Sequence, residues 1–306
     1  MIRNARHEVP QQLDGERLDR AAAALQGWSR GEARRCIERG GAYVDRKRVR
    51  TASRKLRPGQ RLELWWADPP DHQPPPLSPE DLVYRRAGLL ALNKPAGVHC
   101  QAARHRLVGT LPSMAQVLLD TAELPEPIHR LDRHCSGLVV LGETRRARRE
   151  LSALWRGEAV RKRYLSIVAG QPPDSVLIDA PIGLEPGGAS GQRGVVAGGQ
   201  AARSSLQVLA RSEHACLVQL EPITGRTHQL RVHTAHMGWP MLGDPWYAPA
   251  QITALAPRLC LHAWQLSLPA GAPGTPCELE AAAPPAMLEV LAALGISPPA
   301  GPASPA

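Results

Sequence analysis

The chain has 306 residues, with 37 Lys or Arg against 28 Asp or Glu, a formal charge of +9 and a sequence pI near 9.7. That length suits about two domains, and the basic excess favours a polyanionic partner, either nucleic acid or an anionic lipid surface. No run of roughly 18 apolar residues is present to form a membrane-spanning helix, no apolar stretch follows Met1 as a secretory signal, and six scattered cysteines without a Cys-x-x-Cys pair offer no zinc ribbon and fit a reducing, cytoplasmic setting.

Residues 11–66 form the first predicted unit, small and basic. Leu13, Leu18, Ala21, Ala22 and Leu25 recur at helical spacing. Ser29-Arg30-Gly31-Glu32 has capping-box form: Ser29 accepts from the third helical N–H and Glu32 reaches back. Gly40 is placed to end that helix in a left-handed cap. Residues 42–44 and 61–64 predict short strands around a basic hairpin. Between residues 29 and 57 there are eleven Lys or Arg against three acids. Like charges this close repel, and a phosphate backbone relieves them while releasing counterions. Arg30, Arg34 and Arg35 on the helix, with Lys47 and Arg48 on the hairpin, are therefore candidate phosphate contacts. A merely solvated face is the competing reading.

Arg17-Leu18-Asp19, Ser29-Arg30, the run from Ile37 to Asp45, and Pro58-Gly59-Gln60-Arg61-Leu62 resemble the small αL RNA-binding module known as the S-four-like domain. Residues 67–80 follow, with six prolines in the fourteen residues from Ala67, a stiff extended spacer and the best domain boundary in the chain. Residues 81–294 mix strands and helices, and the Pro, Ala and Ser-rich tail, 295–306, is expected to be disordered.

Within 81–294, residues 89–92 predict an apolar strand ending at Asn93-Lys94-Pro95, and 138–141 another fed by the turn Ser136-Gly137. A basic helix is expected over 144–155. Residues 162–168 alternate, with Tyr164, Ser166 and Val168 on one face and Leu165 and Ile167 on the other. Residues 206–209 and 216–220 complete an antiparallel set. Residues 183–199, rich in glycine, read as a mobile loop over a substrate groove, and no glycine fingerprint suggests a nucleotide cofactor.

Three constellations carry chemistry. In His129-Arg130-Leu131-Asp132-Arg133 the aspartate lies on a loop before a buried strand, where rigid scaffolds present reactive groups, and nearby arginines favour its ionised form; a surface ion pair is the plainer reading. In the run from Gly225 to His233, Thr227 is placed to cap a helix ending near Gly238. Arg226 and Arg231 then sit near the helix's positive end, where the dipole disfavours them, so each needs an anion. His228, His233 and His236 do not share a helical face, so no metal site is expected. In Arg161-Lys162-Arg163-Tyr164 the tyrosine is either packed core or a proton acceptor or stacking ring.

These segments resemble the RluA family of pseudouridine synthases. His-Arg-Leu-Asp-x-x-x-Ser-Gly-Leu at 129–138 is the family's signature loop. Asn93-Lys94-Pro95-Ala96-Gly97, Arg163-Tyr164-Leu165, Gly225 to His233, Gly243-Asp244 with Tyr247, and Leu261-His262-Ala263-Trp264 match its other blocks in order. The resemblance implies an α+β pseudouridine synthase fold, a mixed and largely antiparallel sheet with flanking helices. It implies an isomerase acting on RNA without a cofactor, expected to be monomeric, and large-subunit ribosomal RNA as the favoured target. Transfer RNA, or a silent RNA-binding or ribosome-assembly role, are the alternatives. Residue by residue it implies Asp132 as the essential aspartate, Tyr164 as the active-site tyrosine, Arg231 as the arginine paired with the carboxylate, and Arg130 as the filler of the flipped nucleotide's place. Arg226, His228 and Lys94 are expected at the substrate. Cys135, Gln200 and Leu206 depart from the family pattern, which bears on loop geometry and RNA contacts.

Overall fold

The computed structural model describes residues 2–67, 75–156, 160–189, 191–269 and 278–298. The chain divides into two compact units, one of Met1–Leu77 with Val98–Pro125, the other of Ser78–Gly97 with Glu126–Ala306. Most of the expected proline-rich spacer (68–74) and the end of the expected tail (299–306) lie outside the described residues.

The first unit contains β1 (Ile2–Glu8), α1 (Leu18–Gln26), α2 (Arg30–Arg39), β2 (Ala42–Val44), β3 (Lys47–Val49), β4 (Arg61–Ala67) and α3 (Leu111–Leu119). Its sheet runs β1-β4-β2-β3, all antiparallel. Leu18, Ala21, Ala22, Ala33 and Ile37 on the helices close over Leu62 and Leu64 on the sheet, all fully buried. The Ser29–Glu32 capping box starts α2 and Gly40 (φ +92°) ends it, as the sequence predicts. The first helix, expected from Leu13, begins only at Leu18 after a separate 3₁₀ turn at Gln11–Leu13. Asp19 is buried where the helices meet and is held by Arg17 Nε (3.0 Å) and Arg30 Nε (3.0 Å). The Arg17 hydrogen bond, with Arg30 beside it, holds the Asp19 carboxyl down to about 2 against the cost of burial. This ion triad explains why Arg17-Leu18-Asp19 and Ser29-Arg30 occur together. Residues 98–125 pack here too: Leu107 N–H donates to the Arg39 carbonyl (2.7 Å), and Arg48 donates to the Ala103 carbonyl (2.6 Å).

The second unit contains β5 (Leu82–Arg86), β6 (Leu89–Lys94), β7 (Glu126–Pro127), β8 (Ser136–Gly142), α4 (Arg145–Arg156), β9 (Arg161–Ala169), β10 (Ser175–Asp179), β11 (Ile182–Leu184), β12 (Arg193–Val195), β13 (Arg203–Arg211), β14 (Ala215–Pro222), α5 (Gln229–His236), α6 (Ala250–Thr253), β15 (Leu261–Ser267), β16 (Glu278–Glu280) and α7 (Pro285–Ala293). Its sheet order is β10-β13-β14-β9-β15-β8-β6-β5, with β16 on β15 and β7 on β8. Only β15 and β8 pair in parallel among the described strands of this sheet. Leu165, Ile167 and Leu217 pack with Met287 and Leu291 of α7, while Leu89, Leu138 and Val140 pack with Leu151 of α4. The architecture is α+β, a mixed and largely antiparallel sheet with helices against it. Part of the expected glycine-rich loop is ordered as the β11–β12 hairpin, with Ile182 opposite Val195. No helix among the described residues is long and apolar enough to cross a membrane.

Candidate active site

The central strands fix the ends that matter. β8 is buried along its whole length and starts at Ser136, four residues after Asp132. Gly137 is obligatory there: its φ is +110°, and a Cβ would lie 2.2 Å from the Ala263 carbonyl oxygen on parallel β15. Beside it, Ser136 Oγ bonds His262 Nδ1 (3.0 Å) and His262 Nε2 meets the Ala281 carbonyl (3.0 Å). With Nε2 donating, Nδ1 accepts from the serine, so the imidazole is neutral; burial takes its pKa down to about 4. Upstream, His129 stacks on Trp155 (centroids 4.8 Å apart) and accepts the Val140 N–H at Nε2 (3.1 Å). Burial, helped by the Lys162 charge, pushes His129 down to about 3. The signature loop is thus pinned on both sides of Asp132.

Lys94, expected at the substrate, is instead completely buried; its ammonium donates to the carbonyls of Pro95 (2.9 Å) and Arg133 (3.2 Å). A buried lysine needs such acceptors, and these place it as a tether of the loop that carries Asp132.

The turn before α5 is built differently from the expected Thr227 cap. His228 is the N-cap residue, in the left-handed region at φ +58°, with no side-chain cap bond. Gln229 does the work the cap was expected to do. Its Oε1 accepts from Arg226 N–H (2.9 Å) and Thr224 Oγ1 (2.7 Å), and its Nε2 donates to the Arg203 carbonyl and Ser204 Oγ (both 2.8 Å). One turn on, His233 bridges Ser204 Oγ and the Ala180 carbonyl (both 3.0 Å). Gln229 and His233 therefore lock α5 against β13 and leave Arg231 on another face. Among the described residues no group of three or more His, Cys, Asp and Glu could hold a metal ion.

Arg231 is 3% exposed and has two carboxylate neighbours. Its Nε and Nη2 bond Asp244 Oδ2 (2.8 Å) and Oδ1 (2.7 Å), and its Nη1 reaches Asp132 Oδ2 (3.2 Å). Asp244 is fully buried, and its Oδ1 also accepts the backbone N–H groups of Trp246 (2.9 Å) and Tyr247 (3.2 Å). The Tyr247 ring lies under the guanidinium at 4.8 Å. Burial works against the Arg231 charge, but the hydrogen bonds and charge of Asp244, with Asp132, outweigh it and raise its pKa. Both anions that flank Arg231 are carboxylates; the sequence pointed to one of them and was silent on Asp244.

A short hydrogen-bonded chain ends at His228, which faces the same Asp132 oxygen that Arg231 reaches. The Arg193 N–H donates to Tyr247 Oη (3.1 Å), which lies 2.7 Å from His228 Nδ1, and His228 Nε2 faces Asp132 Oδ2 at 3.8 Å. With its oxygen already accepting, the Tyr247 hydroxyl donates to Nδ1, which leaves the imidazole proton on Nε2. Burial lowers the His228 pKa; Asp132 opposes that and Arg231 reinforces it.

Asp132, His228 and Arg231 line a pocket of about 310 Å³. Asp132, Arg130, Tyr164, Arg226, His228 and Arg231 all border it, together with Lys162, Thr224 and Cys135. Six of the expected site residues are therefore brought together, from three separate stretches of sequence. Arg130 is exposed at the pocket, and Arg226 Nε donates to the Ala201 carbonyl (3.0 Å). Lys162 is an addition, its pKa lowered by burial. Of the departures from the family pattern, Cys135 lines the pocket and is buried, as is Leu206, while Gln200 is exposed. Of the basic residues in the first unit, Arg30 is tied to Asp19, Arg34 to Glu38 (2.6 Å), and Arg48 to Tyr43 and Ala103, while Arg35 and Lys47 are exposed.

Residues 88–236 match the family described as RNA pseudouridylate synthase, and residues 16–62 match the S4 domain. An "Uncharacterized RNA pseudouridine synthase" of Chloroflexus aurantiacus is 36% identical over 85% of this chain and 84% of its own. The "Ribosomal large subunit pseudouridine synthase D" of Nitrosomonas europaea is 33% identical over 85% of this chain and 79% of its own. The "Dual-specificity RNA pseudouridine synthase RluA" of Yersinia pestis is 35% identical over 65% of this chain and 98% of its own. Among solved structures, "Human RNA Pseudouridylate Synthase Domain Containing 4" is similar with a TM-score of 0.59 and 27% identity, over 72% of this chain and 94% of that one.

Proposed function

The chain belongs to the family of RNA pseudouridine synthases, and from that premise we propose that it isomerises uridine in large-subunit ribosomal RNA, with Asp132 as the reacting carboxylate. The observation that carries the chemistry is the contact between Arg231 Nη1 and Asp132 Oδ2 at 3.2 Å, inside a pocket that Tyr164 also borders. Arg231 cannot swing away, because its other two nitrogens are held by Asp244. A preoriented cation at a carboxylate costs no reorganisation during the reaction, which is where electrostatic stabilisation acts best.

The reaction is an internal transfer. The N1–C1′ bond of the uridine breaks, the uracil turns within the pocket, C5 bonds to C1′, and C5 loses a proton while N1 gains one. No net redox change occurs and no outside nucleophile is consumed. Asp132 either attacks C1′ or removes a ribose proton. Tyr164 is the base for the C5 proton or the ring on which the uracil stacks. Arg130, exposed at the pocket, fills the space vacated by the flipped nucleotide. Extruding a paired uridine costs a few kcal/mol, which favours looped or distorted sites.

The target rests on domain make-up. Similarity to the Nitrosomonas europaea enzyme, whose name specifies the large ribosomal subunit, covers 85% of this chain, against 65% for the Yersinia pestis enzyme. An S4 domain precedes the synthase region. Pseudouridine mapping of ribosomal and transfer RNA from cells lacking the gene tests the assignment. Loss of one or more large-subunit sites is expected; loss confined to transfer RNA would overturn it.

A further inference from the structure

Within the first unit a second pocket, of about 380 Å³, opens beside α2 and β4, well away in sequence from the Asp132 loop. Its volume lies in the range of sites that seat small molecules, roughly 300–1,000 Å³. Three tryptophans border it: Trp28, Trp65 and Trp66. Trp28 and Trp66 meet edge to face, with centroids 4.8 Å apart and planes at 87°, and both pack on the unit's core, so their rings are fixed. Trp65 and Trp66 are neighbours on β4, while Trp28 lies between α1 and α2.

Charge selects the occupant. Four arginines and a single glutamate are among the described residues that line the pocket. Arg35 is exposed at it; Arg106 is 2% exposed and is fixed by Nε donating to the Val108 carbonyl (3.1 Å). Aromatic faces with guanidinium groups around them suit a ligand that is flat and apolar at one end and anionic at the other. In an RNA-modifying enzyme that ligand is a nucleotide, its base on the indoles and its phosphate on the arginines. A base inside a duplex has both faces covered by its stacked neighbours, so the nucleotide is unpaired.

We propose that this pocket binds one unpaired nucleotide of the RNA substrate, with the base against the tryptophans and the phosphate at Arg35. The S4-type module then anchors a bulged or looped residue besides any backbone it contacts. The proposal does not depend on which RNA is modified, so it and the target assignment fail separately.

Two measurements on the full chain test it. Photocrosslinking of the unaltered protein to a single-stranded hexaribonucleotide carrying 4-thiouridine, mapped by mass spectrometry, is expected to give adducts at Trp28, Trp65 or Trp66. Adducts confined to the Asp132 pocket, or none, would overturn the proposal. Binding of a structured ribosomal RNA fragment, measured against salt, gives the second readout. Base stacking is lost without loss of phosphate contacts, so Trp65→Ala is expected to weaken binding roughly tenfold with the salt slope unchanged, and Trp65→Phe to recover most of it. Unchanged affinity in Trp65→Ala, or a loss that Trp65→Phe does not recover, counts against it. So does competition by an acidic peptide that the hexaribonucleotide cannot match.

Discussion

Arg231 and Asp244 meet at two points, Nε to Oδ2 at 2.8 Å and Nη2 to Oδ1 at 2.7 Å, and this pair sets which guanidinium nitrogen is left for Asp132. A planar fork with three engaged nitrogens has no lysine equivalent. Arg231→Lys is therefore expected to keep the charge and lose the geometry, lowering kcat by at least about a hundredfold, the order seen when one oriented electrostatic donor is removed. Asp244→Ala leaves a buried cation without its main partner and should cost about 3–5 kcal/mol of stability. Single-turnover kinetics and urea unfolding check the two effects. Near-normal turnover in Arg231→Lys would remove the clamp from the mechanism.

Tyr247 has two roles that one substitution separates. Its ring lies under Arg231 and its hydroxyl orients His228. Tyr247→Phe keeps the first and removes the second. A buried hydrogen bond is worth about 1 kcal/mol net, so kcat should fall roughly fivefold, with KM little changed. Because the hydroxyl bonds the neutral imidazole at Nδ1, losing it also moves the acid limb of the pH profile to higher pH. An unaltered profile would mean that His228 is not part of the working site.

Gly137 carries the signature loop into β8 under the backbone of β15. Gly137→Ala would place a methyl carbon 2.2 Å from the Ala263 carbonyl oxygen, at a φ of +110° that alanine avoids. Strain of this kind costs about 1–3 kcal/mol before the clash is counted. A fall in melting temperature of roughly 6 °C or more is expected for a unit of this size, and a smaller fall would mean that β15 can move aside.

How much of this was legible in sequence depended on whether the signal was local. The capping box of α2, its Gly40 terminus and the alternation along β9 are local, and the structure has them. β1 was missed because Ile2–Glu8 has no buried residue; an edge strand held by backbone bonds to β4 leaves no apolar alternation to read. The motifs drew attention to Asp132, Tyr164 and Arg231, and the fold brings all three to one pocket. Asp244 sat in a quoted motif without a role, since sequence spacing does not say which carboxylate a buried arginine faces. Lys94, expected at the substrate from its motif, is enclosed instead, and which carbonyls surround a lysine is set by the fold rather than by spacing. Residues 98–125 show no composition break, yet they pack with the first unit. Excising residues 1–66 would strip that packing, so point variants are the sounder probe of the module.

Acid sensitivity follows from buried imidazoles. His129 and His262 are pushed down to about 3 and about 4, and His228 and His233 are lowered too, all by burial first. An unfolded histidine titrates near 6.5, so below that pH the unfolded chain binds protons that the folded chain refuses. Stability is then fully present above about pH 6.5 and falls on acidification, by up to about 1.4 kcal/mol per pH unit for each such group. Urea midpoints measured from pH 7.5 to 5 should drop steadily below 6.5. A flat profile over that window would show these rings to be reachable by water.

The reacting carboxylate is tested most directly by Asp132→Asn, which keeps the side chain's size and removes its charge. Purified variant and unaltered enzyme are incubated with target RNA, and pseudouridine and RNA affinity are measured in the same samples. Product should be absent while affinity stays within about twofold, since backbone contacts elsewhere dominate RNA binding. Turnover near the unaltered rate would contradict the role given to Asp132, and with it the reading of Arg231 and Asp244 as its support.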